Sequence, residues 1–238
     1  MHMKALKFAL LGAAASLAFG GAAFAQDASD VDLSFNIGVA SDYVFRGVSQ
    51  TDEDPQIFGG ADLTAGIFYA GVWASNVDFG DSTDAEVDLY VGATPTLGPV
   101  SLDLGAIYYT YVDAPSGADL DQWEFMASAS VPAGQATLGA AIYYSPDYTG
   151  VGADESFYYE VNGAIPLAER FTLSGALGHQ DVEISGGGDV DYTTWNLGVE
   201  IAATDKFGLD IRYHDTDAED LFGSIAEERL VASLKLAL

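Results

Sequence analysis

Apolar and polar residues alternate with a period of two along most of this chain. Leu102, Leu104, Ala106 and Tyr108 occupy every second position of one segment, with polar or small residues between the first three of them. The same alternation recurs in residues 206–214. A period of two indicates β-strands whose two faces meet different surroundings. The fold therefore depends on which of the two faces points outward.

Twelve segments of this kind can be recognised, and the links between them alternate between short and long. Strands of about 9–11 residues joined in this way are typical of outer-membrane β-barrels. An even number of strands also lets an antiparallel sheet close without leaving an edge. The sequence therefore predicts an all-β fold, a single antiparallel up-and-down transmembrane β-barrel of about 12 strands with short periplasmic turns and longer acidic extracellular loops. The predicted strands are 32–45, 55–69, 71–79, 85–95, 100–111, 122–131, 136–145, 156–166, 171–184, 191–202, 206–214 and 228–238.

The first 25 residues have the pattern of an export signal. Two lysines precede an apolar stretch at 8–19, and Ala23 and Ala25 place small residues where signal peptidase reads the chain. The stretch is too short for a membrane-spanning helix, so it is interpreted as a signal peptide that is removed. The predicted organisation is a signal peptide at 1–25 and one outer-membrane barrel domain at 26–238.

The chain is strongly acidic. It holds 36 acidic and eight basic residues, for a net charge of −28. Without the two lysines of the signal peptide, six basic residues remain and the net charge is −30. Such a field argues against nucleic acid or anionic lipid as partners and favours cations. Generic solubility, or adaptation to a salty habitat, is the alternative explanation. The chain has no cysteine, so no disulfide supports the fold.

Two other folds compete with the membrane barrel. Residues 126–146 carry no charge, as a spanning helix would, but Pro132 and Gly134 interrupt them and favour two strands joined by a turn. A soluble β-sandwich or lipocalin-like barrel would also alternate, with its apolar face inside. Its exterior would mix lysine, arginine and glutamate. Here the polar face is small, hydroxylated or acidic and almost without lysine, which favours the membrane barrel.

Three motifs carry a resemblance to a known family. Residues 34–50 read SFNIGVASDYVFRGVSQ, and 41–47 are the most specific part. Residues 71–78 read GVWASNVD, and residues 86–92 read EVDLYVG. The chain resembles the TorF family of proposed porins, also known as Gcw_chp, over the whole mature sequence. The resemblance implies an outer-membrane location and a pore, and it supplies no catalytic residues.

If the apolar faces point to lipid, the alternate positions point into the lumen. Carboxylates far outnumber bases there, and rings of carboxylates favour cations in a narrow pore. The alternative is a closed barrel whose inward charges pair, with Arg46 and Arg212 each neutralising nearby acids. Twelve strands lie between filled barrels of about 8 strands and open porins of about 16–18, so both alternatives stay open. The predicted pore-lining residues are Asp42, Arg46, Asp62, Asp88, Asp103, Glu124, Glu160, Glu200, Asp210 and Arg212. Arg46, at the exit from the first predicted strand, is expected to lie at the pore mouth among acids.

The functional hypothesis is a porin-like passive channel of the bacterial outer membrane, for cations or small hydrophilic solutes. The alternative is a closed structural or adhesive barrel whose acidic loops bind surface partners. An enzyme is not expected. A hydrolase would pair His214 with Asp210 or Asp215, or use His179 near Asp181, but no serine stands in a recognisable nucleophile context.

The expected partners are outer-membrane lipid and lipopolysaccharide, together with small ions or solutes, and no nucleic acid. The barrel is expected to be a monomer. No cofactor and no catalytic metal are predicted. Acidic runs such as 52–54 and 215–220 leave room for weak binding of Ca²⁺ or Mg²⁺ at the outer loops, although none has the full spacing of a calcium motif.

Overall fold

The computed structural model describes residues 31–149 and 152–238, so the predicted signal peptide lies outside the described residues. Within them the chain is almost entirely β-structure. The strands are β1 (Val31–Ala40), β2 (Val44–Phe45), β3 (Val48–Ser49), β4 (Gln56–Ala65), β5 (Phe68–Asn76), β6 (Ala85–Ala93), β7 (Thr96–Leu97), β8 (Val100–Val112), β9 (Gln122–Ala133), β10 (Ala136–Ser145), β11 (Ala153–Ala168), β12 (Phe171–Ile184), β13 (Asp189–Ala202), β14 (Phe207–Thr216) and β15 (Arg229–Ala237), with helix α1 (Glu219–Phe222) and a 3-10 turn (Gly223–Ala226) before β15.

Twelve strands, all except the short β2, β3 and β7, form one closed antiparallel barrel. Each strand pairs with its neighbour along the chain, and β1 pairs with both β4 and β15. Pairing of β6 with β8 completes the ring. Every long strand in the described part of the chain thus has two partners, which satisfies backbone hydrogen bonds in lipid. The predicted twelve-stranded barrel is confirmed.

The barrel carries its apolar face on the outside. On β1, Leu33, Phe35 and Ile37 are 56, 47 and 50% exposed, whereas Gly38 and Ala40 are buried. Other strands show the same alternation, with exposed leucine, valine and aromatic residues at every second position. A soluble sandwich or lipocalin would hide these side chains. A sheet that hides polar groups and exposes apolar ones has the fold of an outer-membrane barrel.

The links sort by length between the two ends of the barrel, as predicted. At one end, here called the turn end, the links are short. At the other, here called the loop end, most links are longer and rich in acidic residues; the exception is 185–188, which has four residues and no acid. No helix in the described ranges is long and apolar enough to cross a bilayer. The turn-end links are 66–67, 94–99, 134–135, 169–170 and 203–206, and the loop-end links are 41–55, 77–84, 113–121, 146–152, 185–188 and 217–228.

Two predicted boundaries near the N-terminus are wrong. The second strand and its turn were expected to reach residue 71, but the chain turns at 66–67 and Tyr69 already belongs to β5. Gly66 has a φ of +61°, which suits a tight reversal that glycine accepts without strain. The first strand was expected to extend to residue 45, but it ends at Ala40 because the chain leaves the wall there.

Residues 41–55 fold into the barrel and are here called the plug. Every residue from 42 to 51 is buried. Strands β2 and β3 form a small hairpin whose two turn residues, Arg46 and Gly47, have φ of +43° and +84°. Positive φ at both positions is the requirement of a type I′ turn, the tightest hairpin connection. The alternation in 41–50 therefore belongs to a hairpin inside the lumen, and not to the end of a wall strand.

The plug divides the loop half of the lumen into two cores. On one side, Tyr43 and Phe45 pack with Tyr109, Tyr111 and Leu120. On the other side, Val48 packs in a cluster contributed by β12, β13 and the loop-end links; its other buried members are Tyr148, Val182, Tyr192, Ala218 and Ala226. The hydrophobic core of this protein thus lies around the plug, inside the barrel.

Candidate functional site in the lumen

Arg46, at the tip of the plug, lies in the interior of the barrel. Its Nη2 donates to Oε2 of Glu124 on β9 at 2.8 Å, and its Nη1 donates to Oε1 of Gln180 on β12 at 2.9 Å. Both charged side chains are almost fully removed from solvent, with exposures of 3% for Arg46 and 2% for Glu124. This ion pair therefore joins the tip of the plug to the wall far from water.

Aromatic rings complete the surroundings of this guanidinium. Its central carbon lies 4.2 Å from the ring centre of Tyr158, 4.5 Å from that of Phe45 and 5.0 Å from that of Tyr143. Each ring face attracts the cation. Burial alone disfavours the charge, but Glu124 and nearby tyrosine oxygens outweigh it and raise the pKa of Arg46 above its ordinary value. Arg46 therefore stays charged in the docked plug.

Gly178 on β12 makes room for one of these rings. A Cβ atom at Gly178 would lie 2.0 Å from the hydroxyl oxygen of Tyr158, closer than any real contact. Tyr158 therefore lies flat against the neighbouring strand, where its ring faces Arg46. Its hydroxyl donates to Oε2 of Glu160 at 3.1 Å. The glycine thus positions part of the cage around the guanidinium.

Three carboxylates, here called the acidic cluster, line the wall beside the plug: Glu86 and Asp88 on β6, and Glu124 on β9. Tyr43 of the plug and Tyr111 of β8 each donate to Glu86 at 2.7 Å. Burial, and then the charges of Glu86 and Asp88, raise the pKa of Tyr43 well above its ordinary value. Tyr43 therefore remains a hydrogen-bond donor at neutral pH.

Asp88 differs from the other two members of the acidic cluster. It is fully buried, and within the described residues neither of its carboxylate oxygens has a hydrogen-bond partner. Glu86 lies two residues away on the same strand and therefore on the same face. A buried carboxylate without a donor, beside another carboxylate, is strongly disfavoured as an anion. This is the least compensated charge of the lumen.

Arg212 on β14 organises a second ion-pair group on the wall. Its Nη2 lies 3.0 Å from Oδ2 of Asp210 and 3.5 Å from Oε1 of Glu200. It also donates to the Asn196 side-chain oxygen at 2.7 Å and to the Ser174 hydroxyl at 2.8 Å. All four partners lie on β12, β13 or β14. The group is therefore part of the barrel wall alone.

A third ion pair ties the base of the plug to the last strand. Arg229 Nη1 on β15 donates to Oδ2 of Asp42 at 2.9 Å, across 187 positions of sequence. Ser49 and Thr51 donate to the other oxygen of Asp42 at 2.6 and 2.9 Å. The first and last parts of the barrel are thus joined through Asp42, which itself belongs to the plug.

Tyrosine–carboxylate pairs line the lumen nearer the turn end. Tyr69 donates to Asp103 at 2.8 Å, and Tyr90 donates to Asp62. These pairs link β5 with β8 and β6 with β4, so each spans a strand of the wall. Each of these acids has a neutral phenol as its hydrogen-bond donor, and Lys235 on β15 also interacts electrostatically with Asp62. A carboxylate with a neutral donor keeps more of its negative field than one paired with an arginine.

A cavity of about 100 Å³ lies between the plug and the wall. One side of the cavity is aromatic, with Tyr43, Phe58 and Trp73. The other side is polar, with Asp210, Arg212, His214 and further hydrophilic groups. The volume is enough for several water molecules. This cavity is where the aromatic and the ion-paired parts of the lumen meet.

The chain matches a known protein family over most of its length. A family model described as "Bacterial protein of unknown function (Gcw_chp)" matches residues 24–235. The chain belongs to this family. The predicted resemblance is confirmed for Gcw_chp, and the TorF name stays a prediction. None of the curated proteins matches the sequence.

Solved structures show where the fold of this Gcw_chp protein recurs. The COG4313 outer membrane channel from Pseudomonas putida F1 is 12% identical, with a TM-score of 0.53 over 91% of this chain and 97% of that one. The outer-membrane expressed OmpT of Vibrio cholerae is 14% identical, with a TM-score of 0.48 over 90% of this chain and 99% of that one. The first likeness shows a shared barrel fold.

The structure places all ten predicted pore-lining residues on the interior side. Asp62, Asp88, Asp103, Glu124, Glu160, Glu200, Asp210 and Arg212 lie on wall strands, as expected. Asp42 and Arg46 do not, because the first strand ends before them and both belong to the plug. The predicted position of Arg46 at the pore mouth is corrected to the interior of the lumen. Whether these residues line a conducting path stays a prediction.

Several interior residues escaped the sequence reasoning. Glu86 shares its alternation with Asp88, so the pattern that predicted one also contained the other. Arg229 lies at the start of the last strand, where only its pairing with Asp42 reveals a role. Tyr109 and Tyr111 had a signal too, since they stand two positions apart on one face of β8. Their use as donors to Glu124 and Glu86 depends on the pairing of β8 with β9 and β6, which no local pattern showed.

The candidate catalytic and metal groups are not assembled in the described residues. His179 lies on the outer surface, 3.3 Å from the Thr193 hydroxyl, and Asp210 is paired with Arg212. His214 has no hydrogen bond to Asp210 or Asp215 among the bonds of the described chain. No group of three histidine or acidic side chains in ranges 31–149 and 152–238 has the arrangement of a metal site.

Proposed function

We propose that this protein is a porin-like passive channel of the bacterial outer membrane, for cations or small hydrophilic solutes. The observation that carries the proposal is the inverted barrel, with an apolar exterior and an interior of charged and hydroxylated side chains. Such an interior can replace the hydration of a solute, whereas an apolar one cannot. The fold shared with outer-membrane channels supports the proposal.

The proposed preference for cations rests on the interior charges. Near the plug, Arg46, Arg212 and Arg229 neutralise part of the acid. Towards the turn end, Asp62 and Asp103 instead accept hydrogen bonds from neutral tyrosines. The lumen therefore keeps an acidic excess where the arginines are absent. That excess lowers the energy of a cation and raises that of an anion.

The plug sets the narrowest point of the proposed path. Residues 42–51 are buried in the loop half, so conduction requires a passage beside the plug or a displacement of it. The experiment compares the wild-type protein with a variant whose residues 43–50 are replaced by a glycine–serine segment, in planar bilayers under a salt gradient. We expect a larger conductance in the variant, and a reversal potential of the sign set by cations in both proteins. Preference for anions would contradict the cation part of the proposal.

A closed structural or adhesive barrel is the second candidate, and the plug favours it specifically. Arg46, the tip of the plug, is buried and fully paired, as in a permanently filled barrel. In this case the wild-type protein stays silent in bilayers, and so does the variant without the plug hairpin. Correct folding of both is checked by the shift of barrel mobility on heating in gel electrophoresis. Conductance of either protein would contradict the closed barrel.

The proposal includes export, location and assembly. We propose that cleavage follows Ala25, that the barrel resides among outer-membrane lipid and lipopolysaccharide, and that it is a monomer. The N-terminal sequence of the protein from outer-membrane fractions should begin at Gln26. Its molar mass in detergent, measured by light scattering, should equal that of one chain plus bound detergent. A trimer would contradict the monomer.

A further inference from the structure

The cavity between the plug and the wall has two chemically different sides, one aromatic and one polar. On one side, the Trp73 ring centre lies 5.5 Å from that of Tyr43 and 6.2 Å from that of Phe58. The three rings come from the plug, β4 and β5. They form a continuous aromatic surface on one side of the cavity. An aromatic surface of this kind stabilises a solute that offers a flat C–H face.

The charges on the polar side of the cavity are already paired. Arg229 compensates Asp42 at 2.9 Å, and Arg212 compensates Asp210 at 3.0 Å. A free ion entering here would have to displace a guanidinium or a carboxylate from its partner. Paired charges discriminate little between cations and anions, but their lone pairs and N–H groups still accept and donate hydrogen bonds. The cavity therefore suits a polar solute without net charge.

Other polar groups of the cavity have no hydrogen-bond partner within the described chain. The His214 ring and the Ser233 hydroxyl have none, and the Gln56 side-chain amide uses its nitrogen, bonded to Ser75 at 2.9 Å, but not its oxygen. Between them they offer at least one donor and several acceptors. A purely apolar ligand would remove water from these groups without replacing its hydrogen bonds, which is unfavourable.

We propose that this cavity is a binding site for a small, uncharged, polyhydroxylated solute such as a sugar ring. The C–H face of the solute lies on Trp73, and its hydroxyl groups bond to His214, Gln56 and Ser233 in place of water. The volume of about 100 Å³ holds several waters, which the hydroxyls of one ring replace. The inference rests on the proposed channel function, because the site lies on the path beside the plug. Binding is weak enough for release, with a dissociation constant on the order of millimolar.

Tryptophan fluorescence tests the site without requiring an open channel. The chain has three tryptophans. Trp123 and Trp195 lie on the outer surface of the barrel, so the double variant Trp123→Phe/Trp195→Phe keeps only Trp73 as a reporter. The purified full-length mature variant in detergent is titrated with glucose and with maltose. We expect a saturable change in emission with at least one of them, and none with sodium chloride or glycine at equal osmolarity.

Two further substitutions assign the contacts. In the Trp73 reporter background, His214→Ala and Gln56→Ala should each weaken sugar binding about fivefold, as expected for the loss of one hydrogen bond. His179→Ala is the matched control, because His179 lies on the exterior and bonds only to Thr193. It should leave the titration unchanged. Equal effects of all three variants would overturn the assignment of the site.

Bilayer measurements separate this inference from the channel proposal. If the wild-type protein conducts, sugar should interrupt its current, and Trp73→Ala should abolish the interruption while conduction persists. Conduction together with no saturable sugar response in either assay overturns the binding site and leaves the channel intact. Saturable sugar binding by a protein that never conducts overturns the channel but supports the site. The second assay also covers the case in which the reporter variant fails to fold.

Discussion

Arg46 and Arg212 both carry a positive charge inside the lumen, but they lie in different environments. The Arg46 side chain is 3% exposed, arrives on the plug, and meets Glu124 and three aromatic rings. The Arg212 side chain is 13% exposed, lies on the wall, and meets partners on its own and adjacent strands. Arg46 therefore links the plug to wall strands that are far from it in sequence. Arg212 instead links neighbouring wall strands that already share backbone hydrogen bonds. Arg46 therefore fixes the position of the plug, and Arg212 mainly affects the electrostatic field inside the barrel.

The energetic consequence of this difference follows from burial. A buried ion pair gains little over a neutral pair, but removing one member leaves the other charge without compensation and costs about 3–5 kcal/mol. The Arg212 ion pairs are less deeply buried than that of Arg46 and lie within the wall, so the loss of Arg212 costs about 1–3 kcal/mol and does not affect the plug. Loss of Arg46 should therefore disturb the position of the plug far more than loss of Arg212.

The largest expected effect is that of Arg46→Ala. The substitution leaves the buried Glu124 without its cation and removes the contacts with Tyr158 and Tyr143, so the plug should undock. A loss of about 3–5 kcal/mol shifts the docking equilibrium by more than about 100-fold. We expect a higher bilayer conductance and rapid protease cleavage within residues 41–55. Unchanged protection of this segment would show that Arg46 does not hold the plug.

The control for this prediction is the integrity of the barrel. Strand pairing does not involve Arg46, so the variant should keep its barrel mobility in gels and its β-sheet circular dichroism. Arg46→Lys sharpens the comparison, because it keeps the charge but loses the forked geometry and the flat face of the guanidinium. It should lie between wild type and Arg46→Ala in protease protection. An effect as large as that of alanine would mean that shape, more than charge, secures the plug.

The next effect concerns two neighbouring acids of the cluster. Glu86 accepts hydrogen bonds from Tyr43 and Tyr111, whereas the Asp88 oxygens accept none within the described residues. Glu86→Gln should therefore weaken plug docking by about 1.5–3 kcal/mol, the range for hydrogen bonds to a charged group. Asp88→Asn should leave docking unchanged, since the Asp88 oxygens accept no hydrogen bond from the plug. Protease protection of the plug at neutral pH measures both, and equal losses would contradict the contrast.

Alkaline pH should also weaken plug docking, through ionisation of Tyr43. Burial and nearby carboxylates raise the pKa of Tyr43 in the docked plug. Its contribution is therefore complete below the unfolded value of about 10 and is lost as the pH rises towards the docked value. Conductance should increase and plug protection should fall above a pH of about 10. Tyr43→Phe, which costs about 1–2 kcal/mol of docking, should reduce this alkaline step. If the alkaline change in conductance and plug protection is as large in Tyr43→Phe as in the wild-type protein, other tyrosines cause it.

The sequence predicted the wall of this protein well and its interior only in part. The period of two predicted the strands and their inward carboxylates, because each of these is a local property of one segment. Arg46, in contrast, was placed at the pore mouth. Residues 41–47 alternate like the strand before them, so the local pattern continued where the chain leaves the wall. The Arg46–Gly47 pair at the turn was the signal of a hairpin, but its destination depends on Glu124 and Gln180, far along the chain.

The cavity shows the same limit. Phe58 and Trp73 have aromatic side chains like those that face lipid, and only the register of β4 and β5 turns them inward. Ser233 lies opposite Asp210 and His214 opposite Arg229 in the pairing of β14 with β15, so their positions in the cavity depend on that register. Site geometry in a barrel is therefore a property of register and of the plug. Neither can be read from one strand alone.

The smallest expected effect on the plug is that of Arg212→Ala. Its partners remain held by the wall, so the barrel and the plug should stay in place, and the free energy of unfolding should fall by about 1–3 kcal/mol because the buried Asp210 loses a partner. The charge inside the lumen, however, becomes more negative, because Asp210 and Glu200 lose their shared cation. In a conducting channel the reversal potential in a salt gradient should move towards the value for cations, with about a twofold higher cation-to-anion ratio. Arg212→Lys should retain the wild-type potential. Plug release by Arg212→Ala, with the potential unchanged, would reverse the roles assigned to the two arginines.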